Sequence, residues 1–521
     1  MNIDDLLIDS IGRATAYDGP RRTPAVGIIG GGMSGVCMAV MLRRSGIRDI
    51  TVFEKASELG GTWRDNVYPG LYCDVPARFY QYSFAPNPHW TRVFASGADI
   101  HAYLRRIADR FDVRQHFRFN TEVTEARFVD NRWQVHTADG AVATFDFLIA
   151  ATGVLRVPRY PDIPGLGDFH GPVMHSARWD RAVEVAGKRV AVIGTGSTGV
   201  QIATALAETT ARLDLFQRSA NWVVTLPNPR YSALTRAAHR RWTMLDRLGY
   251  NGYERFFEFF SRAVIRSGWR RTLLSTICRA NLHTVGDSDV RRMLTPDYKP
   301  MCRRLIVSSG FLRAVRRGTV HVVDTGIDHI AERGIVTTDG VLHECDAIVL
   351  ATGFDAHAYL RPMRLYGRDG ISLDDAWRDG PQAHLTVAVP GFPNFFMLLG
   401  PHSPIGNYSL TAIAEMQARH IADWIDRWRD ELFDTVSPTR RATDAYHAGL
   451  YAALPETVWA TGCSSWYLGN DELPQLWPWT PAELRTRLSA APDLHDYDLR
   501  RTLIDTSPSP THLLGVDGDR S

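Results

Sequence analysis

Two glycine-rich stretches carry the spacing that most directly implies chemistry. Gly30-Gly31-Gly32-Met33-Ser34-Gly35 and Gly194-Thr195-Gly196-Ser197-Thr198-Gly199 both read G-x-G-x-x-G. Each follows a short apolar run, Val26–Ile29 or Val190–Ile193, and each opens a helical pattern. In such a unit the first glycine permits a tight turn and the second lets a pyrophosphate approach the backbone. The third lets helix and strand pack closely. Unpaired N–H groups and the positive end of the helix dipole, beside Thr198 in the second copy, suit phosphates. The residue 24 positions after the first glycine is Glu54 in one unit and Arg218 in the other. A carboxylate accepts hydrogen bonds from a free ribose 2′-hydroxyl and repels a 2′-phosphate, whereas a guanidinium pairs with that phosphate. The first unit therefore suits FAD or NAD, and the second suits NADPH.

The elements that must position these turns are also legible. Ile50–Phe53 and Leu213–Phe216 read as the second strands of the two units. The apolar runs Asp146–Ile149 and Asp346–Leu350 each close on Ala-Thr-Gly, a small-residue ending suited to a strand that abuts a cofactor. The implied fold class is α/β, with two Rossmann-like dinucleotide-binding domains. Glu58-Leu59-Gly60-Gly61-Thr62-Trp63 follows Glu54, and Phe169-His170-Gly171-Pro172-Val173-Met174-His175-Ser176-Ala177-Arg178-Trp179-Asp180 precedes the second turn.

Composition narrows the class. The chain has 521 residues, enough for two or three domains, with 45 % hydrophobic and 22 % charged residues and a net charge of +2. That balance gives no reason to expect nucleic acid as a partner. The basic pairs Arg240-Arg241, Arg270-Arg271 and Arg303-Arg304 read first as solvated faces. Six scattered cysteines without a CxxC argue against a disulfide scaffold, a zinc site or a dithiol relay. No metal is expected. The N-terminus lacks a basic start and a long apolar run, and the uncharged stretch Ala25–Leu42 reads as a buried βα unit, not a transmembrane segment. A cytoplasmic protein is expected.

Phe169, Gly171, His175, Trp179 and Asp180 match FxGxxxHxxxW followed by Pro or Asp. In this fingerprint and its place before the second turn, the chain resembles the type I Baeyer–Villiger monooxygenases, a class B flavoprotein family, from about residue 24 to 479. The resemblance implies FAD, NADPH, O₂ and a small ketone, which becomes an ester or lactone through a C4a-peroxyflavin. Tyr68-Pro69-Gly70-Leu71-Tyr72-Cys73-Asp74 resembles a segment whose aspartate lies near the flavin and the catalytic arginine. Met301-Cys302-Arg303-Arg304 resembles the segment that supplies that arginine. Spacing does not separate its two arginines; the resemblance gives Arg303 the 2′-phosphate and Arg304 the reacting oxygen, with Asp74 holding Arg304. It further implies FAD contacts at Gly30, Gly32, Gly35, Glu54, Thr62, Trp63, Asp74, Tyr80 and Val123. NADPH contacts fall at Gly194, Gly196, Thr198, Gly199, Arg218, Arg303 and Trp466, the last on a mobile segment. Pro401-His402-Ser403 borders the flavin, and His175 is structural and hinge-like.

Alternatives remain. A flavin-containing N- or S-monooxygenase would oxidise heteroatoms with no need of a peroxide-stabilising arginine; a redox sensor without turnover would keep the glycine turns. The expected organisation is an N-terminal extension (1–23), an FAD domain in two parts (24–155, 356–488), an NADPH domain in two parts (156–225, 301–355), a helical insertion (226–300) and a tail (489–521). The aromatic run Tyr253–Phe260 is expected to pack on the NADPH unit, with a substrate entrance or a membrane surface as the other readings.

Overall fold

The computed structural model describes residues 21–463, 468–469 and 473–501. A first unit begins with β1 (Val26–Ile29), α1 (Met33–Arg44), β2 (Ile50–Phe53), β3 (Phe117–Arg118) and β4 (Phe147–Ala150). A second follows with β5 (Val173–His175), β6 (Arg189–Ile193), α2 (Ser197–Leu206) and β7 (Arg212–Phe216). Helices interrupt it, the longest being α3 (Ala233–Arg241), α4 (Thr243–Ile265) and α5 (Trp269–His283). It closes with β8 (His321–Val323) and β9 (Ala347–Leu350), and the chain returns to the first unit with β10 (Phe395–Met397), α6 (Leu410–Arg429) and α7 (Arg440–Ala453).

Both units are five-stranded parallel sheets, ordered β10-β4-β1-β2-β3 and β5-β9-β6-β7-β8. The inner strands are short apolar runs buried throughout, as parallel strands covered on both faces must be. In each sheet the strand feeding the glycine turn lies between the strand leading to Glu54 or Arg218 and the strand ending in Ala-Thr-Gly. That ending has a steric cause. Gly30 and Gly194 sit at φ of +108° and +111°, and a Cβ on either would lie 2.5 Å from the carbonyl oxygen of Ala151 or Ala351.

The chain crosses between the units on two adjacent segments. Arg159 N–H donates to Gly353 O, and Asp355 N–H donates to Val157 O, both at 2.9 Å. The fingerprint forms edge strand β5 and its flanking turns. Phe169 is buried, and a Cβ on Gly171 would meet Asp346 O at 2.6 Å. The His175 ring lies 5.2 Å from Tyr160 and 6.1 Å from Phe354, against both crossing segments. Trp179 packs on the second unit's core, and Asp180 accepts from Ala182 N–H at 2.8 Å.

Four expectations need correction. The insertion is helical, but its packing is divided between the units. Phe260 and Val264 enter the second core, while Phe257 stacks on Phe79 of the first unit at 5.3 Å and Tyr250 meets the same ring at 5.2 Å. α4 has 23 residues, long enough to reach both. The tail expected from residue 489 is part of the fold to Arg501: Tyr497–Arg500 pairs antiparallel with Thr435–Pro438. Arg22, inside the expected N-terminal extension, donates to Trp428 O and pairs with Asp434. A four-residue strand and a single anchoring arginine leave no periodicity to read. Finally, Cys302 and Cys463, 161 positions apart, form a disulfide, which local spacing does not signal. No helix among the described residues is long and apolar enough to cross a membrane.

His384, His402 and His447 are buried close together, with His402 and His447 rings 5.2 Å apart. Burial lowers their pKa values to about 4, about 3 and about 4, so all three are neutral in the folded protein near pH 6. In the unfolded chain they take up protons below about pH 6.5, so each removes about 1.4 kcal/mol of stability per pH unit below that value. The melting temperature should therefore fall steadily from pH 6.5 to 5, above the range where ordinary carboxylates titrate. A flat profile across that window would contradict this reading.

Candidate active site

The first glycine turn is roofed by the Gly60-Gly61-Thr62-Trp63 stretch. Gly60 N–H donates to Gly31 O at 2.9 Å, and a Cβ on Gly32 would meet only the Gly61 backbone, its Cα at 3.6 Å and its N at 3.9 Å. Gly32 caps α1 without a side-chain partner, so the first helical N–H groups stay available to an anion. Glu54 directly follows β2, is 5 % exposed, and accepts from Gly31 N–H and Ala56 N–H, both at 2.9 Å, with Arg64 3.2 Å away. The carboxylate is thereby fixed at the mouth of the turn. Thr62 bonds Leu155 O at 3.4 Å, and Trp63 donates to the Tyr80 hydroxyl at 3.2 Å. Val123 is buried in the core that contains Phe53 and Ile29. This cradle fits an extended dinucleotide with a free ribose diol, as FAD has.

The second turn repeats the first with an open mouth. Gly196 caps α2 without a side chain, and a Cβ there would meet nothing within 4 Å. A Cβ on Gly199 would lie 1.9 Å from Gly194 O, matching Gly35 against Gly30 O. Thr198 lies in the first turn of α2. Arg218 is exposed and makes no hydrogen bond or ion pair among the described residues. Its neighbour Ser219 accepts from Arg303 Nη1 at 2.8 Å, and the Arg303 guanidinium lies 4.4 Å from the Tyr298 ring centroid. Tyr298 donates to Asn221, and Asn221 donates to Thr195 O at 3.0 Å. Two arginines thus converge beside this turn, an arrangement that fits a phosphorylated ribose, as NADPH has.

Between the units lies an ion pair. Arg304 donates from Nε to Asp74 Oδ2 at 2.7 Å and from Nη2 to Oδ1 at 2.6 Å, a two-pronged fork, and from Nη1 to Gly406 O at 3.2 Å. The side chains are 24 % and 11 % exposed. Asp74 belongs to a segment gripped by the second unit: Tyr68 donates to Gln201 Oε1 and Gln201 donates to Tyr72 O, both at 3.0 Å, and Tyr72 bonds Val307 O. A Cβ on Gly70 would meet Gln201 O at 2.7 Å. Burial pushes the Tyr72 phenol up to about 12 and raises the Cys73 thiol, so both stay neutral beside the pair. Asn407 clamps Leu305 from both sides, accepting its N–H at 3.2 Å and donating to its C=O at 3.1 Å. Tyr408 then packs on Phe79 at 5.2 Å, which brings the insertion's Phe257 to the same neighbourhood.

The sequence reading missed Gln201, Ser219, Gly406 and Asn407, which act through contacts of 102 to 133 positions' separation or through a single hydroxyl. His402 lies on the buried loop before Gly406, adjacent to Ser403, which accepts from Gln417 at 2.8 Å. Trp466 lies outside the described residues.

Comparison with known proteins agrees with this geometry. The profile of the family described as pyridine nucleotide-disulphide oxidoreductase matches residues 27–248. The chain is 56 % identical over 482 residues to an uncharacterised monooxygenase of Mycobacterium tuberculosis, covering 92 % of this chain and 97 % of that one. It is 38 % identical over 482 residues to a Baeyer–Villiger monooxygenase of Streptomyces coelicolor, covering 91 % and 92 %. A crystal structure of OTEMO in complex with FAD and NADP superposes with a TM-score of 0.80 at 30 % identity, covering 92 % and 100 %.

The two glycines of the second turn separate folding from binding. Gly196→Ala should leave the melting temperature nearly unchanged, because its φ of −68° and open surroundings accept a methyl, yet raise the KM for NADPH about 10-fold or more. Gly199→Ala should destabilise the protein by about 1–3 kcal/mol through overpacking. Equal melting curves and equal KM values for the two variants would contradict the cradle.

Proposed function

Because the chain belongs to the Baeyer–Villiger monooxygenases, NADPH-dependent flavoenzymes that carry FAD, we propose that it converts ketones into esters or lactones with O₂. The oxygen-transfer route is the one its sequence resemblance implies. One observation carries this reading: a guanidinium locked in a bidentate fork, where the two nucleotide-binding units meet. The chemistry FAD supplies when bound is acceptance of hydride from NADPH and activation of dioxygen.

The chain's own residues bind, orient and stabilise charge. The N-terminus of α1 and Glu54 hold the pyrophosphate and ribose of FAD, with Thr62, Trp63, Tyr80 and Val123 around the remainder. The N-terminus of α2 with Gly194, Gly196, Thr198 and Gly199 receives the pyrophosphate of NADPH, and Arg218 and Arg303 flank its 2′-phosphate. Arg304 places a permanent positive charge where negative charge builds on oxygen as the carbonyl is attacked. Asp74 fixes the plane of that guanidinium and offsets the cost of its partial burial. No protein nucleophile and no metal enters the reaction. The fingerprint residues and His175 work through the crossing segments and touch no reacting atom.

Attack on a carbonyl, not on sulfur or nitrogen, is the reaction that benefits from a fixed cation. Mass spectrometry of products from a panel of ketones and sulfides tests this: esters are expected from at least one ketone, and sulfoxides alone would favour the heteroatom reading. The yellow holoenzyme should prefer NADPH to NADH. Arg303→Ala should raise the KM for NADPH on the order of 10-fold while leaving turnover with NADH unchanged. A native preference for NADH would remove Arg218 and Arg303 from the 2′-phosphate.

A further inference from the structure

The insertion presents an outer face that the proposed reaction does not use. On α4, Met244, Arg247, Leu248, Arg255 and Phe256 fall on one side of the helix and are exposed, with Met244, Leu248 and Phe256 at 67 %, 58 % and 52 %. Asp246, Phe257, Phe260 and Val264 on its other side are buried. On α5, Trp269, Leu273 and Ile277 form a stripe with four-residue spacing, 62 %, 45 % and 47 % exposed. The two faces join at the hairpin, where the Phe259 and Trp269 rings lie 5.7 Å apart and the Arg270 guanidinium sits 4.7 Å from the Trp269 ring centroid.

Charge is concentrated on the same helices. From Ala233 to His283 there are ten arginines and three carboxylates, in a chain whose net charge is +2. Each carboxylate already has a partner: Asp246 with Arg78, Glu254 with Arg485 and Glu258 with Arg262. Arg236, Arg240, Arg241, Arg247, Arg255, Arg270 and Arg279 have no carboxylate partner among the described residues.

We propose that this face docks on an anionic phospholipid bilayer. A solvated helix face has no use for Met, Leu, Ile and Trp at this exposure, and a second copy of this chain would set these arginines against one another, which costs binding energy. A nucleic-acid surface would be basic without aliphatic stripes. A bilayer surface takes both components: aliphatic side chains enter the acyl boundary, guanidiniums remain at the phosphates on their apolar stems, and Trp rests at headgroup depth. Anionic lipid supplies the complement to the unpaired arginines. The helices lie on the surface and do not span it.

Sedimentation of the full-length, FAD-loaded protein with vesicles tests this. With phosphatidylcholine containing about 30 % phosphatidylglycerol the protein should pellet, and salt at about 0.5 M should release it. With phosphatidylcholine alone it should stay largely in solution. Leu273→Glu/Ile277→Glu and Arg240→Glu/Arg241→Glu should each reduce the bound fraction about 10-fold, with NADPH consumption in solution unchanged. No pelleting with either vesicle, equal pelleting with both, or variants that pellet like the parent would overturn the proposal. A dimer in light scattering that Leu273→Glu/Ile277→Glu dissociates, without vesicle binding, would assign the face to a second copy and overturn it too.

Discussion

Everything about this site depends on holding one positive charge still between two separate nucleotide-binding units. Arg304 and Asp74 are 230 positions apart and meet through two short hydrogen bonds. Such a pair contributes little net stability, because desolvation offsets most of the attraction. Its value lies in geometry: a planar guanidinium gripped on two nitrogens cannot rotate away. The surrounding contacts follow from that requirement. Gln201 holds the segment leading to Asp74, Asn407 zips the loop of Gly406 onto Leu305, and both link the two units.

The units themselves obey a simpler constraint, repeated twice. A glycine at positive φ lies against the carbonyl of an alanine from the neighbouring strand, and a second glycine lets the helix reach the turn. The near-identical clearances at Gly30 and Gly194, and at Gly35 and Gly199, show one solution used with two different outer residues. In the proposed function, Glu54 and Arg218 then divide the units by charge, which would keep two dinucleotides in separate places.

These local rules explain how much could be read from sequence. Glycine turns, strand ends and the Ala-Thr-Gly copies are encoded within a few residues, so both sheets were legible. Arg303 and Arg304 were not separable by spacing, because they are adjacent and no local pattern says which of the two faces which unit. In the fold one turns toward Ser219 and the other toward Asp74. The division of α4 between two cores, the Cys302–Cys463 link and the pairing of residues 497–500 all depend on tertiary contacts with no local pattern. The insertion shows the same limit from the other side: its helices and the packing of its aromatic run on the NADPH unit were expected, but the share that Phe257 takes in the first core was not.

The central claim is that Arg304 serves oxygen transfer and not folding or coenzyme binding. Replacing Arg304 with alanine and following the holoenzyme in a rapid-mixing experiment tests it directly, with flavin absorbance and product recorded together. The flavin should still bleach on mixing with NADPH, and O₂ should still be consumed, but ester formation from a ketone turned over by the parent enzyme should fall by at least about 100-fold. Ester formation at the parent rate would contradict the account.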